Sequence, residues 1–254
     1  MKSAKPSVLR RLVLLRHGQS QWNLEKKFTG WFDIGLSDQG TEEAMRAGRI
    51  LKQNGFQFDI AYTSYLERAI ATYRYASEEL GCQSIPLVSA WQLNERHYGA
   101  LTGLCKAQTS SIYGADKVKE WRRHFDTVPP LMATNDPRAP QNDPKYSHVD
   151  PKLLPLGESL KDTSQRTLPY FQANILPQVT GGKSVLVVAH NHSLRSIVKE
   201  LDGISDSGIS EVSISTGVPL IYELCEKGRV LSKYTLPIQE IALDQQPNFT
   251  FAQI

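Results

Sequence analysis

The sequence predicts an α/β fold with three layers: a mainly parallel sheet with helices on both faces, plus an inserted lid region. Three observations carry this. Short apolar runs at residues 12–15, 58–63 and 185–189 alternate with longer stretches whose apolar residues recur at helical spacing. Further strand-like runs follow late, at 218–224 and 230–236. The chain has 254 residues, 40% of them hydrophobic, which is enough for one large core.

The first strand is Leu12-Val13-Leu14-Leu15, and its character changes at once into Arg16-His17-Gly18, with Gly18 read as the residue that lets the chain turn tightly. Polar donors follow at Gln19, Ser20 and Asn23, and then Thr29-Gly30 in a loop suited either to touching a ligand or to an ordinary turn. Ser37 reads as an N-cap, with Asp38, Glu42 and Glu43 near the helix start, an apolar stripe through Ala44, Ala47, Ile50 and Leu51, and a stop at Asn54-Gly55. After the 58–63 strand, Thr63-Ser64 opens a second helix that runs to Gly81. Arg68 falls in its first turn, where a cation opposes the helix dipole unless an anion sits before it; a solvated arginine is the competing reading. A strand lies within 85–93, and Glu95 follows it as a candidate acid/base or a salt-bridged glutamate.

From Lys106 onward the pattern is irregular. Residues 116–125 read as a helix carrying Arg122-Arg123, a pair that either faces the site or solvent. Seven of the fourteen prolines fall in 126–157. A long stretch of this kind is usually functional, so 96–157 reads as a lid insertion within one domain spanning 1–254, with a core at 10–236 and a tail at 237–254. Residues 158–179 are helical in composition, with a kink expected at Pro169. Val185 to Ala189 is a second buried strand ending in a histidine, His190, followed by a helix from Ser193.

Composition narrows the function classes. A net charge of +3 implies no nucleic-acid binding. No apolar run reaches membrane-spanning length. Three cysteines without CxxC spacing argue against a disulfide scaffold and a zinc site and fit the cytoplasm. The first nine residues carry no secretory signal and read as a disordered extension.

If the two histidine-bearing strands lie side by side and parallel, both imidazoles project into one crevice beyond the strand ends, where ligands of open α/β sheets bind. Arg16, His17, Asn23, Arg68, Glu95 and His190 then form a set with cations, two imidazoles and one carboxylate. Such a set suits phosphoryl transfer. Guanidinium groups hold phosphate oxygens, a neutral imidazole attacks phosphorus, and a carboxylate manages the hydroxyl proton. No metal is required. His190-Asn191-His192 is an H-x-H triplet, but alone it is a poor metal signature.

Seven segments in order carry a family resemblance: Leu15-Arg-His-Gly-Gln-Ser-Gln-Trp-Asn23, Phe28-Thr-Gly-Trp31, Tyr62-Thr-Ser64 with Arg68, Leu93-Asn-Glu-Arg-His-Tyr-Gly99, Trp121-Arg-Arg123, Glu158-Ser-Leu160 and Thr216-Gly-Val-Pro-Leu220. They resemble the histidine phosphatase superfamily and, within it, the cofactor-dependent phosphoglycerate mutases. The resemblance implies that His17 is the phosphorylated nucleophile, Glu95 the proton donor and acceptor, and His190 the stabiliser of the transferring group. Arg16, Asn23 and Arg68 would hold that group. Thr29, Gly30, Tyr98, Lys106, Arg122 and Arg123 would hold the rest of the substrate, and Ser20, Asn191 and His192 join the binding set. It also implies priming by 2,3-bisphosphoglycerate, interconversion of 3- and 2-phosphoglycerate in glycolysis and gluconeogenesis, and a homodimer or homotetramer. A bisphosphoglycerate synthase or phosphatase and a catalytically silent binding relative are the alternatives.

Asn191-His192 stands where the family usually has Gly-Asn, which would narrow the pocket or add a cation. Asn is the cheapest replacement if that position needs positive φ. Gly35 replaces a usual Asp, and the tail carries no lysine.

Overall fold

The computed structural model describes residues 10–236. The expectations for the N-terminal extension and for the tail at 237–254 lie outside the described residues. The sheet has six strands: β1 (Arg10–Arg16), β2 (Ile60–Thr63), β3 (Leu87–Ser89), β4 (Val185–Ala189), β5 (Pro219–Leu224) and β6 (Val230–Thr235). They lie in the order β3-β2-β4-β1-β5-β6. β3, β2, β4 and β1 are mutually parallel, and β5 runs antiparallel to both β1 and β6.

The central strands are apolar throughout because both faces are covered. Successive side chains alternate between faces. Leu12, Leu14, Val185 and Val187 face one layer, and Val13, Leu15, Leu186 and Val188 face the other. The second layer is α2 (Asp38–Gln53) and α3 (Glu67–Leu80), which bring Ala47, Leu51, Tyr73 and Ala76. The first is α6 (Leu160–Tyr170), a π-helical turn (Phe171–Ile175), α7 (Leu176–Thr180) and α8 (Asn191–Asp202), which bring Phe171, Ile175, Leu194 and Ile197. The three-layer expectation is met.

Ser37 caps α2, accepting from Gly40 N. The helix after β2 starts later than expected, at Glu67, with Leu66 as its cap residue. The chain continues helically through Pro169, and the irregularity comes after it. Leu176 N donates to Phe171 O, closing the widened turn just before Pro177. Pro177 donates no hydrogen bond and its ring needs room at the preceding turn, which the π geometry provides.

A short helix, α1 (Gln21–Leu24), follows β1. Between Glu95 and α6 lie a 3-10 turn (Gly99–Leu101), α4 (Lys106–Tyr113) and α5 (Ala115–Arg123), then three more short 3-10 turns. α4 is a helix the sequence pattern did not reveal. Two of the turns open on Asp-Pro, with Asp143 and Asp150 each accepting from the backbone N–H two residues on. Phe28, Leu101, Val118 and Trp121 form one small core here, and Trp31, Tyr146, Val149 and Leu154 another.

Candidate active site

Residues of β1, α1, α3, α4, α5 and α8 meet in one cavity at the carboxyl ends of β1 and β4. Register pairs Arg16 with Ala189, so the next residue on each strand leaves the sheet at the same level. Those residues are His17 and His190, whose ring centroids are 4.9 Å apart. His17 N donates to Ala189 O at 3.0 Å, which locks the two ends together.

His17 is 2% exposed. Its Nδ1 lies 2.6 Å from Gly18 O. A carbonyl only accepts, so Nδ1 carries the proton and Nε2 keeps its lone pair. Burial, then the Arg68 and Arg16 charges, push this imidazole well below its usual range, so it is neutral at pH 7. Gly18 does not take a positive φ. Its requirement is close approach: a Cβ there would lie 2.1 Å from Gly40 O, at the start of α2.

His190 is fully buried behind His17 and does not line the cavity. Its Nε2 lies 2.7 Å from Ser64 Oγ, and that oxygen accepts from Leu66 N. Its Nδ1 is buried without a hydrogen-bond partner. Burial, then Arg68 and His17, hold it neutral as well.

Glu95 follows a 3-10 turn (Trp91–Leu93). Its Oε1 accepts from Arg96 N (2.8 Å), His192 N (3.1 Å) and His192 Nδ1 (2.9 Å). Burial works against its charge, yet His192, His190 and the Arg96 N–H together keep it well below the carboxylate range. Its backbone is pinned separately. Trp31 Nε1 and Arg166 Nη2 both donate to Glu95 O, at 2.5 and 2.9 Å.

The cavity these groups frame has a volume of about 220 Å³. Arg16, Asn23, Thr29, Gly30 and Arg68 line it near His17. Arg68 is 1% exposed and donates to Gly30 O (2.8 Å) and Phe32 O (3.1 Å), so the solvated-arginine reading fails. Burial lowers it to about 10, with Glu95 resisting. Asn23 Oδ1 accepts from Ser20 N, which leaves its amide N–H groups as donors. Tyr98, Lys106, Arg122, Arg123, Asn191 and His192 complete the expected lining. Burial, then Arg122 and Arg16, lower Lys106 to about 8.

Ser20 is the exception. It is fully buried, caps α1 by accepting from Asn23 N at 3.2 Å, and does not line the cavity. The sequence reads Ser20 only as a polar donor, and the short helix takes its hydroxyl as a cap. Asn191 sits at the first position of α8 and is not among the positive-φ residues, so replacing Gly there costs no backbone strain. His192 adds no cation. Burial, then Arg96, lower it to about 4, and it donates to Glu95 as a neutral ring.

Lys27 and Arg195 also line the cavity, and sequence reasoning passed over both. Arg195 is 2% exposed and lies in the early turns of α8, the same signal that singled out Arg68. Burial, then Arg96 and Arg123, lower it to about 10. Arg96 is fully buried over the Tyr98 ring, and none of its guanidinium nitrogens has a hydrogen-bond partner. Arg16, Lys27, Arg68, Lys106, Arg122, Arg123 and Arg195 therefore face one lining carboxylate, Glu95. A cavity so unbalanced is built for a polyanion. Among the described residues, no group of three or more His, Cys, Asp or Glu side chains is placed to hold a metal ion.

Two neutral imidazoles from distant strands, ringed by arginines, are the mark of a class. Residues 12–236 match the histidine phosphatase superfamily (branch 1), and the chain belongs to that family. The chain is 50% identical to the 2,3-bisphosphoglycerate-dependent phosphoglycerate mutase of Treponema denticola over 230 residues, 91% of this chain and 93% of that one. It is 49% identical to the protein of the same name from Lachnoclostridium phytofermentans, over 88% of this chain and 90% of that one. Among solved structures, a mycobacterial hydrolase shares the fold, with a TM-score of 0.66 at 21% identity, covering 87% of this chain and 95% of that one.

Proposed function

We propose that this protein is an isomerase that interconverts 3-phosphoglycerate and 2-phosphoglycerate through a phosphohistidine at His17, primed by 2,3-bisphosphoglycerate, in glycolysis and gluconeogenesis. The observation that carries the reading is the His17 tautomer: the bond to Gly18 O leaves Nε2 bare and uncharged beside two arginines.

The donor set fits a substrate and primer with two phosphates and a carboxylate. Arg16 Nε and Thr29 Oγ1 belong to lining residues and are buried without a hydrogen-bond partner, an arrangement that an anion would satisfy. When bound, 2,3-bisphosphoglycerate supplies the phosphoryl group that His17 carries. Arg16, Asn23 and Arg68 hold that group and neutralise the charge spreading over its oxygens, with His190 supporting it from behind. Glu95 takes the proton of the substrate hydroxyl as that oxygen attacks phosphorus, and returns it in the reverse step. Thr29, Gly30, Tyr98, Lys106, Arg122 and Arg123 hold the carboxylate and second phosphate. Residues 96–157 act as the lid that keeps water out of the phosphoryl transfer.

The same reading makes the protein cytoplasmic and a homodimer or homotetramer, with the β3 edge available for pairing. Among the described residues no helix is long and apolar enough to cross a membrane.

The test is a coupled assay with 3-phosphoglycerate, with and without 2,3-bisphosphoglycerate, together with mass spectrometry of the primed protein. Primer-dependent 2-phosphoglycerate and one added phosphate on His17 are expected. Inorganic phosphate released faster than 2-phosphoglycerate forms would make it a phosphatase, and an unphosphorylated His17 would make it a silent relative. Glu95→Gln should cut kcat while leaving KM nearly unchanged; a comparable change in both would overturn its proton-transfer role.

A further inference from the structure

We propose that His192 is a positioning residue for Glu95, and that it fixes which carboxylate oxygen exchanges a proton with substrate. The inference rests on Glu95 as the proton donor and acceptor. Oε1 receives three N–H donors within 3.1 Å, two from backbone and one from the His192 ring. An oxygen so saturated has no lone pair left to take a proton, so the exchange falls to Oε2. Of the three donors, only the ring can be removed by a substitution that leaves the backbone N–H groups in place.

The ring itself is held for this task. A carboxylate only accepts, so Nδ1 carries the hydrogen and Nε2 is the bare nitrogen. Nε2 is buried without a partner. The ring is 5% exposed and stands edge-on to Tyr98, with centroids 6.0 Å apart. The charged groups that act on it are Arg96, Glu95 and Arg195. Its own start is fixed because it lies in the first turn of α8, directly after the strand end that carries His190. One helix start thus orients a histidine beside the nucleophile and a second one against the acid/base group. An Asn side chain at this position would place an amide N–H where the ring has Nδ1–H, so Asn is the conservative variant.

The groups facing Glu95 from other elements are Arg16 and His17 from the end of β1, Arg68 from α3, Lys106 from α4, and His190 and Arg195 around α8. All of them remain when His192 is changed, so a change in the acid limb of kcat reports the lost donor.

The experiment compares wild type, His192→Phe, His192→Asn and Glu95→Gln in steady-state kinetics across pH. His192→Phe is expected to lower kcat about ten- to a hundredfold, the range for a lost hydrogen bond to a charged group, with KM within about twofold. Its acid limb should move to higher pH, because the carboxylate has lost a donor that favours its charged form. His192→Asn should recover most of kcat and return the limb. A wild-type profile for His192→Phe, a loss confined to KM, or no recovery in the Asn variant would overturn the inference. If Glu95→Gln is inactive while His192→Phe is wild type, only the positioning role fails. If Glu95→Gln is fully active, the assignment of Glu95 fails first. Should His192→Phe not fold, nitrogen NMR of histidine-labelled wild type decides: hydrogen on Nδ1 of His192 supports the inference, and hydrogen on Nε2 overturns it.

Discussion

Arg166 clamps the segment that carries Glu95, and removing it gives the sharpest prediction about stability. Its Nε and Nη2 grip both oxygens of Glu158, at 2.7 and 2.8 Å. Its Nη1 donates to Gln92 O and Asn94 O, and Nη2 also donates to Glu95 O. The arginine and glutamate side chains are 8% and 4% exposed. Arg166→Met keeps the length and apolar stem but strands a buried carboxylate and takes the arginine donor from three carbonyls. Breaking one side of a buried pair costs about 3–5 kcal/mol. For a chain of this size that is a fall in Tm on the order of 10 °C. Arg166→Lys keeps the charge but not the planar fork, so its loss should be intermediate. Chemical denaturation of the three proteins measures this. A loss under about 1 kcal/mol for Arg166→Met would refute the reasoning, because the fork would then contribute no more than a surface pair.

Gly18→Ala drives a Cβ into Gly40 O at 2.1 Å, backbone against backbone, and should destabilise by about 3 kcal/mol in the same denaturation experiment. His17→Ala should abolish mutase activity and phosphate incorporation, read by coupled assay and mass spectrometry. Four buried imidazoles should make stability depend steeply on acid. His17 and His190 lie well below 6.5, His192 at about 4 and His97 at about 3, with burial the main cause in each. As pH falls below about 6.5 the unfolded chain takes up protons that the folded one refuses, so stability is complete above that pH and is lost toward pH 4. Each such group adds up to about 1.4 kcal/mol per pH unit in that window. Thermal melts from pH 7.5 to 4.5 test this, and a Tm that stays flat would count against neutral buried rings.

The strands and the meeting of His17 with His190 were readable because they obey local rules. Four apolar residues running into Arg16-His17 state both a buried strand and its exit, and Val185 to His190 repeats the statement. Arg68 was readable as a cation against a helix dipole. α4 was not, because Cys105 makes no side-chain cap and the helix buries only Thr109. Arg166 and Arg195 were missed for a different reason. Each sits in a helix where a lone arginine looks solvated, and its acceptors come from outside that helix: Gln92 O, Asn94 O and Glu95 O for Arg166, and Ile209 O for Arg195. The role of Ser20 was misjudged because a cap and a ligand contact ask for the same hydroxyl.

β4 lies between β2 and β1, and it is fourth in sequence. Without residues 185–189 nothing joins β1 to β2, because β4 is the strand that pairs with both. Until β4 is in place, His17 lacks the His190 ring that stands 4.9 Å from it. Such long-range pairing is intrinsically slow to form. The site therefore cannot assemble before β4 is paired on both sides, and recovery of activity on refolding should not precede that pairing.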